Sequence, residues 1–213
     1  MNTRCKNGFL VQHLYDCPYG MENIINTCGY NGLSARNSNP LSALPDQESQ
    51  ELSKEAEWHV ITEQEHVLLE FISDPNVLLR YIKTCQKHNI PIRLLFVESD
   101  YSEEVWTGPD MPKRFLGYEY NSVPIDNQII TDLSWYPQLS PFLERVNSMG
   151  LFSSVDDIML FKTAYDQAVE QGEIGDGDME TYIFCLFEIH VDDVLRAVAQ
   201  ETVCVNPNES RRP

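Results

Sequence analysis

The chain has 213 residues, and its 33 acidic side chains outnumber its 15 basic ones, which leaves a formal net charge of −18. This excess repels nucleic-acid phosphates and anionic lipids, so it argues against nucleic acid or a membrane as a partner and favours a protein with a basic surface. We expect no secretory signal, and the sequence contains no run of about 18 apolar residues. Its six cysteines are scattered, so we expect a cytoplasmic protein with reduced thiols and no metal or cofactor.

Composition predicts how the chain is organised. The expected units are an N-terminal region with a polar linker (1–57), a main α/β domain (58–205) and a flexible tail (206–213). In the first unit, Phe9–Val11 predicts a strand and residues 19–27 predict a short helix. Residues 37–57 are polar and contain two prolines, which is typical of a linker with at most a short helical turn after Asp46.

The strongest local signals in the chain predict a strand, a helix and a second strand. Val67–Ile72 and Ile92–Val97 are short apolar runs typical of buried strands. Between them, Asp74 and Pro75 are suited to start a helix, and apolar residues recur at helical spacing over residues 74–88. We predict that the two strands are parallel neighbours, which gives the fold class α+β (α/β): a central mixed sheet with a βαβ unit and flanking helices.

The second half of the chain predicts a loop and several strands. Residues 99–113 are polar and contain Gly108-Pro109, which is typical of an exposed loop. In the strand Arg114–Tyr120, Gly117 marks either a bulge or a close backbone approach. Further strands are predicted at Trp58–Ile61, Gln128–Leu133 and Thr181–His190.

Three helices are predicted after residue 140. The first runs from Pro141 to Gly150, and Asp192 is expected to cap the last, which ends near Gln200. Ser153 or Ser154 caps the helix between them. Its predicted buried side consists of Val155, Ile158, Met159, Ala164, Tyr165, Ala168 and Val169.

A calcium loop is a first candidate for chemistry. Asp176, Asp178 and Glu180 match its first three ligands. Thr181 and Phe187 stand where such a loop needs glycine and glutamate, so an acidic turn is the better interpretation.

An acid/base cluster is a second candidate. Glu188, His190 and Asp192 occupy alternate positions, so on an extended strand they would share one face. The alternative is a strand end whose polar face meets solvent. We favour that alternative, because the sequence links no nucleophile to the three residues.

Residues 11–37, VQHLYDCPYGMENIINTCGYNGLSARN, resemble the opening of ADP-ribosyltransferase-like domains. In that family a strand with His precedes a short helix and a glycine turn with Ser or Arg. The resemblance implies an enzyme that uses NAD, with His13, Ser34 and Arg36 at the matching positions of the NAD site. No glutamate here is matched to the catalytic glutamate of that family, and the transferase is kept as the alternative function.

A broader resemblance covers residues 68–161. It rests on the phrases FISDPNVLLRYIKTCQKHNIPIRLLFVE, RFLGYEY and DLSWYPQLSPFLERVNSMGLFSSVDDIMLF. These resemble immunity proteins of bacterial polymorphic-toxin and contact-dependent inhibition systems, in which an LGYEY-type strand precedes a helix ending in N-x-x-G-L-F, here Asn147–Phe152. The resemblance implies a small acidic antitoxin that neutralises a cognate toxin by covering its active site, and it leaves the oligomeric state open.

Two surfaces are candidates for toxin binding. The loop 99–113 combines aromatic side chains with carboxylates, as interface hot spots do, in Tyr101, Glu103, Glu104, Trp106 and Asp110. The acidic region 156–193, with Asp176 and Asp178, is expected to speed association with a basic toxin. We expect Trp106→Ala to leave folding intact and to speed dissociation of the toxin.

Overall fold

A five-stranded antiparallel sheet lies at the centre of the computed structural model, which describes residues 5–14, 37–38, 45–55, 57–60, 68–99, 106–121, 136–174 and 181–204. The strands are β1 (Cys5–Leu14), β2 (Asn37–Ser38), β3 (Glu57–Val60), β4 (Leu68–Phe71), β5 (Ile92–Ser99), β6 (Arg114–Asn121) and β7 (Tyr182–Ile189). The central sheet has the order β2-β1-β5-β7-β6, and β3 pairs separately with β4. The helices are α1 (Asp46–Glu55), α2 (Pro75–Lys87), α3 (Val155–Glu170) and α4 (Val191–Cys204), with a 3₁₀ helix at Ser140–Arg145. The predicted α+β class is confirmed.

Helix α2 forms where the sequence predicts it, because its start, its end and its buried side are all encoded locally. The Asp74 carboxylate accepts hydrogen bonds from the N–H groups of Asn76 (2.7 Å) and Val77 (3.4 Å). The helix ends before Asn89, whose φ of 54° is left-handed. Its buried residues form one stripe and are Leu78, Tyr81, Ile82 and Cys85.

The predicted pairing of the two strands that flank α2 is wrong. β5 lies between β1 and β7 and is antiparallel to both. Phe9 of β1 pairs with Phe96 of β5 on one side and with Ile72 on the other, where the two backbones exchange N–H···O bonds of 3.0 and 2.9 Å. The chain at Ile72 therefore runs in the same direction as β5, but β1 lies between them. Helix α2 returns the chain as predicted, and an N-terminal strand occupies the place of the expected neighbour.

The alternation of residues along β5 divides the core between the two faces of the sheet. Leu94 and Phe96 join the apolar cluster formed with α2 and α4. Leu95 and Val97 belong to a cluster on the opposite face. A third cluster, around Tyr120, packs α3 against β6. The helices α2 and α3 are thus held by separate parts of the core.

Gly117 is both the bulge and the close approach that its place in β6 predicts. The pairing register with β7 shifts between Phe115 and Gly117. A Cβ atom on Gly117 would lie 2.5 Å from Cβ of Leu151, and its φ of +151° is one that L residues rarely adopt. No larger residue fits this position without moving the segment that contains Leu151.

The segment 147–152 covers the outer edge of β6. Tyr118 and Phe152 exchange backbone hydrogen bonds of 2.8 and 2.9 Å. The Asn147 amide donates to the carbonyl of Leu116 (2.8 Å), and its side-chain oxygen accepts from the N–H of Leu151 (3.2 Å). The LGYEY and N-x-x-G-L-F phrases therefore form one structural unit, which satisfies the backbone of an edge strand.

Two segments differ from their predicted structure. Residues 46–55 form a ten-residue helix in place of a linker, because Leu52 is buried in the core. The predicted helix from Pro141 to Gly150 is a 3₁₀ helix that ends at Arg145, and Val146 is extended. Hydrogen bonds of the Asn147 side chain hold the next residues in a turn, in which Gly150 has a φ of 77°.

The remaining predicted elements divide into those confirmed and those outside the described residues. The strands predicted at Trp58–Ile61, Arg114–Tyr120 and Thr181–His190 are confirmed as β3, β6 and β7. The Ser154 hydroxyl caps α3 as predicted, by accepting from the N–H of Asp157 (3.1 Å). Helix α4 begins at Val191, so Asp192 lies in its first turn and is not the predicted cap. The predicted elements at 19–27, 128–133 and 206–213 lie outside the described residues.

Candidate functional site

The predicted toxin-binding residues are only partly placed by the structure. Tyr101, Glu103, Glu104, Asp176 and Asp178, together with Glu180 of the calcium-like turn, lie outside the described residues. Asp110 is exposed, as expected for a loop residue. Trp106 is described as well, and its surroundings differ from the prediction.

Trp106 belongs to the hydrophobic core, which corrects its predicted role as an exposed anchor. Its side chain is 6% exposed, and its ring lies edge-on to Phe9 with the ring centroids 4.8 Å apart. The indole N–H donates to the carbonyl of Pro109 (3.0 Å). Thr107 donates to the carbonyl of Ser73 from both its N–H and its hydroxyl, which ties the segment to the start of α2. A docking partner therefore has no access to the indole in this structure.

Glu188, His190 and Asp192 line one open cavity of about 320 Å³, together with Arg93. They are near each other but do not share a strand face. β7 ends at Ile189, and Asp192 belongs to α4. The predicted extended geometry is wrong because the chain turns from strand to helix at His190.

Both carboxylate oxygens of Glu188 are engaged by arginines. Nε of Arg93 lies 3.4 Å from Oε1, and Nη2 of Arg114 donates to Oε2. His190 and Asp192 are exposed, and no Ser, Thr or Cys is among the described residues that line the cavity. Among its described residues, the groove therefore offers a neutralised carboxylate, two solvated side chains and no hydroxyl or thiol nucleophile.

A second polar cluster joins β6 to α3. The Tyr120 hydroxyl donates to Asp166 (2.7 Å) and accepts from Lys162 (3.1 Å) and from Thr181. Burial raises the pKa of Tyr120, so its hydroxyl stays protonated. Burial lowers the pKa of Lys162, but hydrogen bonds and charge interactions with Asp166 and Tyr120 together raise it above its usual value. The members of the cluster bond to one another, and these bonds fix the orientation of α3 on the sheet.

The outward side of α3 carries most of the exposed large apolar side chains in the described part of the protein. Val155 is 43% exposed, Met159 47% and Leu160 53%. Asp156 and Thr163 lie on the same outward side and are exposed. We call these five residues the α3 patch. Grouped apolar side chains of this kind are candidates for a binding surface.

The sequence prediction placed Val155 and Met159 on the wrong side of α3. The buried residues are Ile158, Phe161, Tyr165 and Ala168, a stripe with spacings of three and four. Phe161 belongs to this stripe and is absent from the predicted buried side. With it included, the stripe turns away from the first and fifth residues of the helix, so the sequence does contain a signal for the α3 patch.

The predicted NAD site is described at one position. His13 lies in β1, where its backbone pairs with Ser38 and with Ile92. Ser34 and Arg36 lie outside the described residues. Whether the three side chains meet stays a prediction.

Among the described side chains, no group of three or more His, Cys, Asp or Glu could hold a metal ion. The described helices include none that is long and apolar enough to cross a bilayer. Burial raises the pKa of the Cys85 thiol to about 11, which makes it unreactive.

No protein-family model, curated protein or solved structure matches this chain.

Proposed function

We propose that this chain is an immunity protein, an antitoxin that binds a cognate bacterial toxin with a basic surface and covers its active site. The observation that supports this most is the distribution of charge on the described surface. A protein that must capture a basic partner needs carboxylates that are not neutralised within its own fold.

Basic side chains in the described residues are largely neutralised by ion pairs within the chain. Those paired with a carboxylate are Lys87, Arg93, Lys113, Arg114, Arg145, Lys162 and Arg196. Several exposed carboxylates have no ion pair among the described residues, namely Asp46, Glu51, Glu144, Asp156, Glu170, Glu173 and Asp192. The charge available to a partner is therefore mostly negative.

Such a surface favours rapid capture of a basic protein. Complementary charge raises association rates from about 10⁵–10⁶ to as much as about 10⁸–10⁹ M⁻¹s⁻¹ at low salt. Speed matters for an antitoxin, because each free toxin molecule continues to cause damage until it is bound. Neutralisation then requires only that the bound protein excludes the substrate, and no chemistry by the antitoxin.

The predicted loop and acidic region remain part of this proposal. Asp110 is a proposed toxin contact, as are Tyr101, Glu103 and Glu104, which lie outside the described residues. The acidic positions Asp176 and Asp178 are proposed to steer association. Trp106 is left out of the contact set, because it is buried.

The test is protection of growing cells. The probe is the C-terminal domain of the protein encoded by the open reading frame immediately upstream, expressed from an inducible promoter with and without this chain. We expect growth arrest by that domain alone and restored growth when this chain is present. The purified pair should form a complex whose association rate falls as salt rises.

A toxin domain from an unrelated locus serves as the control, and it should remain toxic. An upstream domain that does not arrest growth, or that arrests it equally in the presence of this chain, refutes the proposal.

A further inference from the structure

We propose that the α3 patch is the surface that docks the toxin, and that the toxin inserts an apolar side chain flanked by Lys or Arg there. This inference rests on the proposed function and names the contact surface for it. It adds a main docking surface to the loop contacts proposed above, because the predicted anchor of that loop, Trp106, is directed into the core.

The geometry of α3 supports the patch as a single surface. Val155 and Met159 are four residues apart, Leu160 follows, and Thr163 is one turn beyond Met159, so these side chains are neighbours on one side of the helix. The opposite side is held in the core by Phe161 and by the other buried residues of the helix. The helix cannot rotate to bury the patch without exposing that stripe.

The polar groups in and beside the patch suit a partner that brings an apolar side chain bordered by positive charge. The Thr163 hydroxyl donates to the carbonyl of Met159 within the helix (2.9 Å), so it does not require a partner from outside. Asp157, outside the patch, is engaged by Ser154 and Arg145. Asp156 is exposed and has no ion pair among the described residues. A docking segment therefore meets apolar side chains and one available carboxylate.

Charge selects a basic protein among the possible occupants. A second copy of the chain would bring together two molecules with a net charge of −18 each, and would place equivalent Asp156 side chains near the same contact. An anionic bilayer is repelled for the same reason. A basic protein surface with a protruding apolar side chain satisfies both the patch and the field around it.

The experiment uses substitutions that change the patch without disturbing the fold. Met159→Glu and Leu160→Glu place a charge at half-exposed helical positions. Glutamate is a good helix former, as are the methionine and leucine that it replaces. Met159→Leu keeps the apolar surface. Gln86→Glu is the matched control, because it adds the same charge at an exposed position of α2. Urea unfolding of all four variants should match the wild type closely.

Binding to the upstream-encoded toxin domain is measured by surface plasmon resonance, alongside the growth assay. We expect Met159→Glu and Leu160→Glu each to weaken affinity about 30-fold or more, mainly through faster dissociation, as loss of a hot spot does. Met159→Leu and Gln86→Glu should bind like the wild type.

The outcomes separate this inference from the function it rests on. If Met159→Glu and Leu160→Glu bind within about threefold of the wild type, the patch is not the docking surface, although the antitoxin function stands. Loss of binding by Tyr101→Ala but not by the patch variants would leave the loop as the docking surface and overturn the inference. A wild-type dimer that Met159→Glu dissociates would make a second copy the occupant and overturn the inference. A wild-type chain that neither binds nor protects overturns both proposals.

Discussion

Replacing Trp106 with alanine tests whether the segment 106–113 belongs to the core. The indole is 6% exposed, and Trp→Ala truncations in cores cost about 3–5 kcal/mol. The substitution also leaves the Pro109 carbonyl without the indole hydrogen bond, which is worth about 0.5–1.5 kcal/mol. We therefore expect the free energy of unfolding to fall by at least about 3 kcal/mol, a large part of the stability of a typical domain.

The measurement is urea unfolding followed by circular dichroism, since the substitution removes a tryptophan signal. Trp106→Phe is the control, because it keeps an aromatic ring against Phe9 but cannot donate to Pro109. It should lie between the wild type and the alanine variant. A loss below about 1 kcal/mol for Trp106→Ala would mean that the side chain is not packed as described, and would restore its candidacy as a toxin contact.

Three further predictions test the parts of the fold that carry the proposed surfaces. Gly117→Ala should destabilise by at least about 2 kcal/mol, because the new Cβ overlaps Leu151, whereas Gly172→Ala, with a φ of +72° and nothing within 4 Å, should cost only about 1–2 kcal/mol. Ile82→Ala should lower the free energy of unfolding by about 2–5 kcal/mol, and exposed Lys83→Ala should change it by less than about 0.5 kcal/mol. Hydrogen bonds from Lys87 and His88 lower the pKa of Glu48, so its stabilising effect is present above the unfolded pKa and disappears as pH falls through the folded one. The stability difference between the wild type and Glu48→Gln should therefore shrink on acidification, and a difference that grows would refute the assignment.

Local features of this fold are predictable from the sequence because each is encoded within a few residues. Asp74 and Pro75 start α2, and Ser154 starts α3, through contacts with their own next residues. The apolar runs that form β5 and β7 are too short for typical helices, so their length predicts strands. The sequence marks Gly117 as a special backbone position, although it does not identify the neighbour, Leu151, which lies 34 residues away.

Features that depend on distant residues were not predictable. The neighbour of β5 is β1, about 85 residues earlier in the chain, and a parallel crossover from β4 is equally compatible with the local pattern. Helix α1 resembles a linker in sequence because Leu52 is the one buried residue among residues 46–52, the part of the helix whose side chains are described. The sequence predicts an exposed Trp106 because its neighbours in the chain are polar. In the structure its ring packs against Phe9, which is distant in the sequence. Burial of a side chain in a loop is decided by such distant contacts.

The groove at His190 and the α3 patch are both exposed to water. This exposure is unfavourable for catalysis by the charged groups of the groove, but it favours binding at the apolar patch. Charged groups accelerate reactions most when water is excluded, because their fields are then poorly screened. His190 and Asp192 are exposed in an open groove, and Glu188 is already neutralised by two arginines. The α3 patch has the opposite relation to water, since removing water from half-exposed apolar side chains is itself favourable, at about 25 cal/mol per Å². A partner gains from docking on α3 without any rearrangement of the fold, whereas catalysis in the groove would first require its carboxylate to be released.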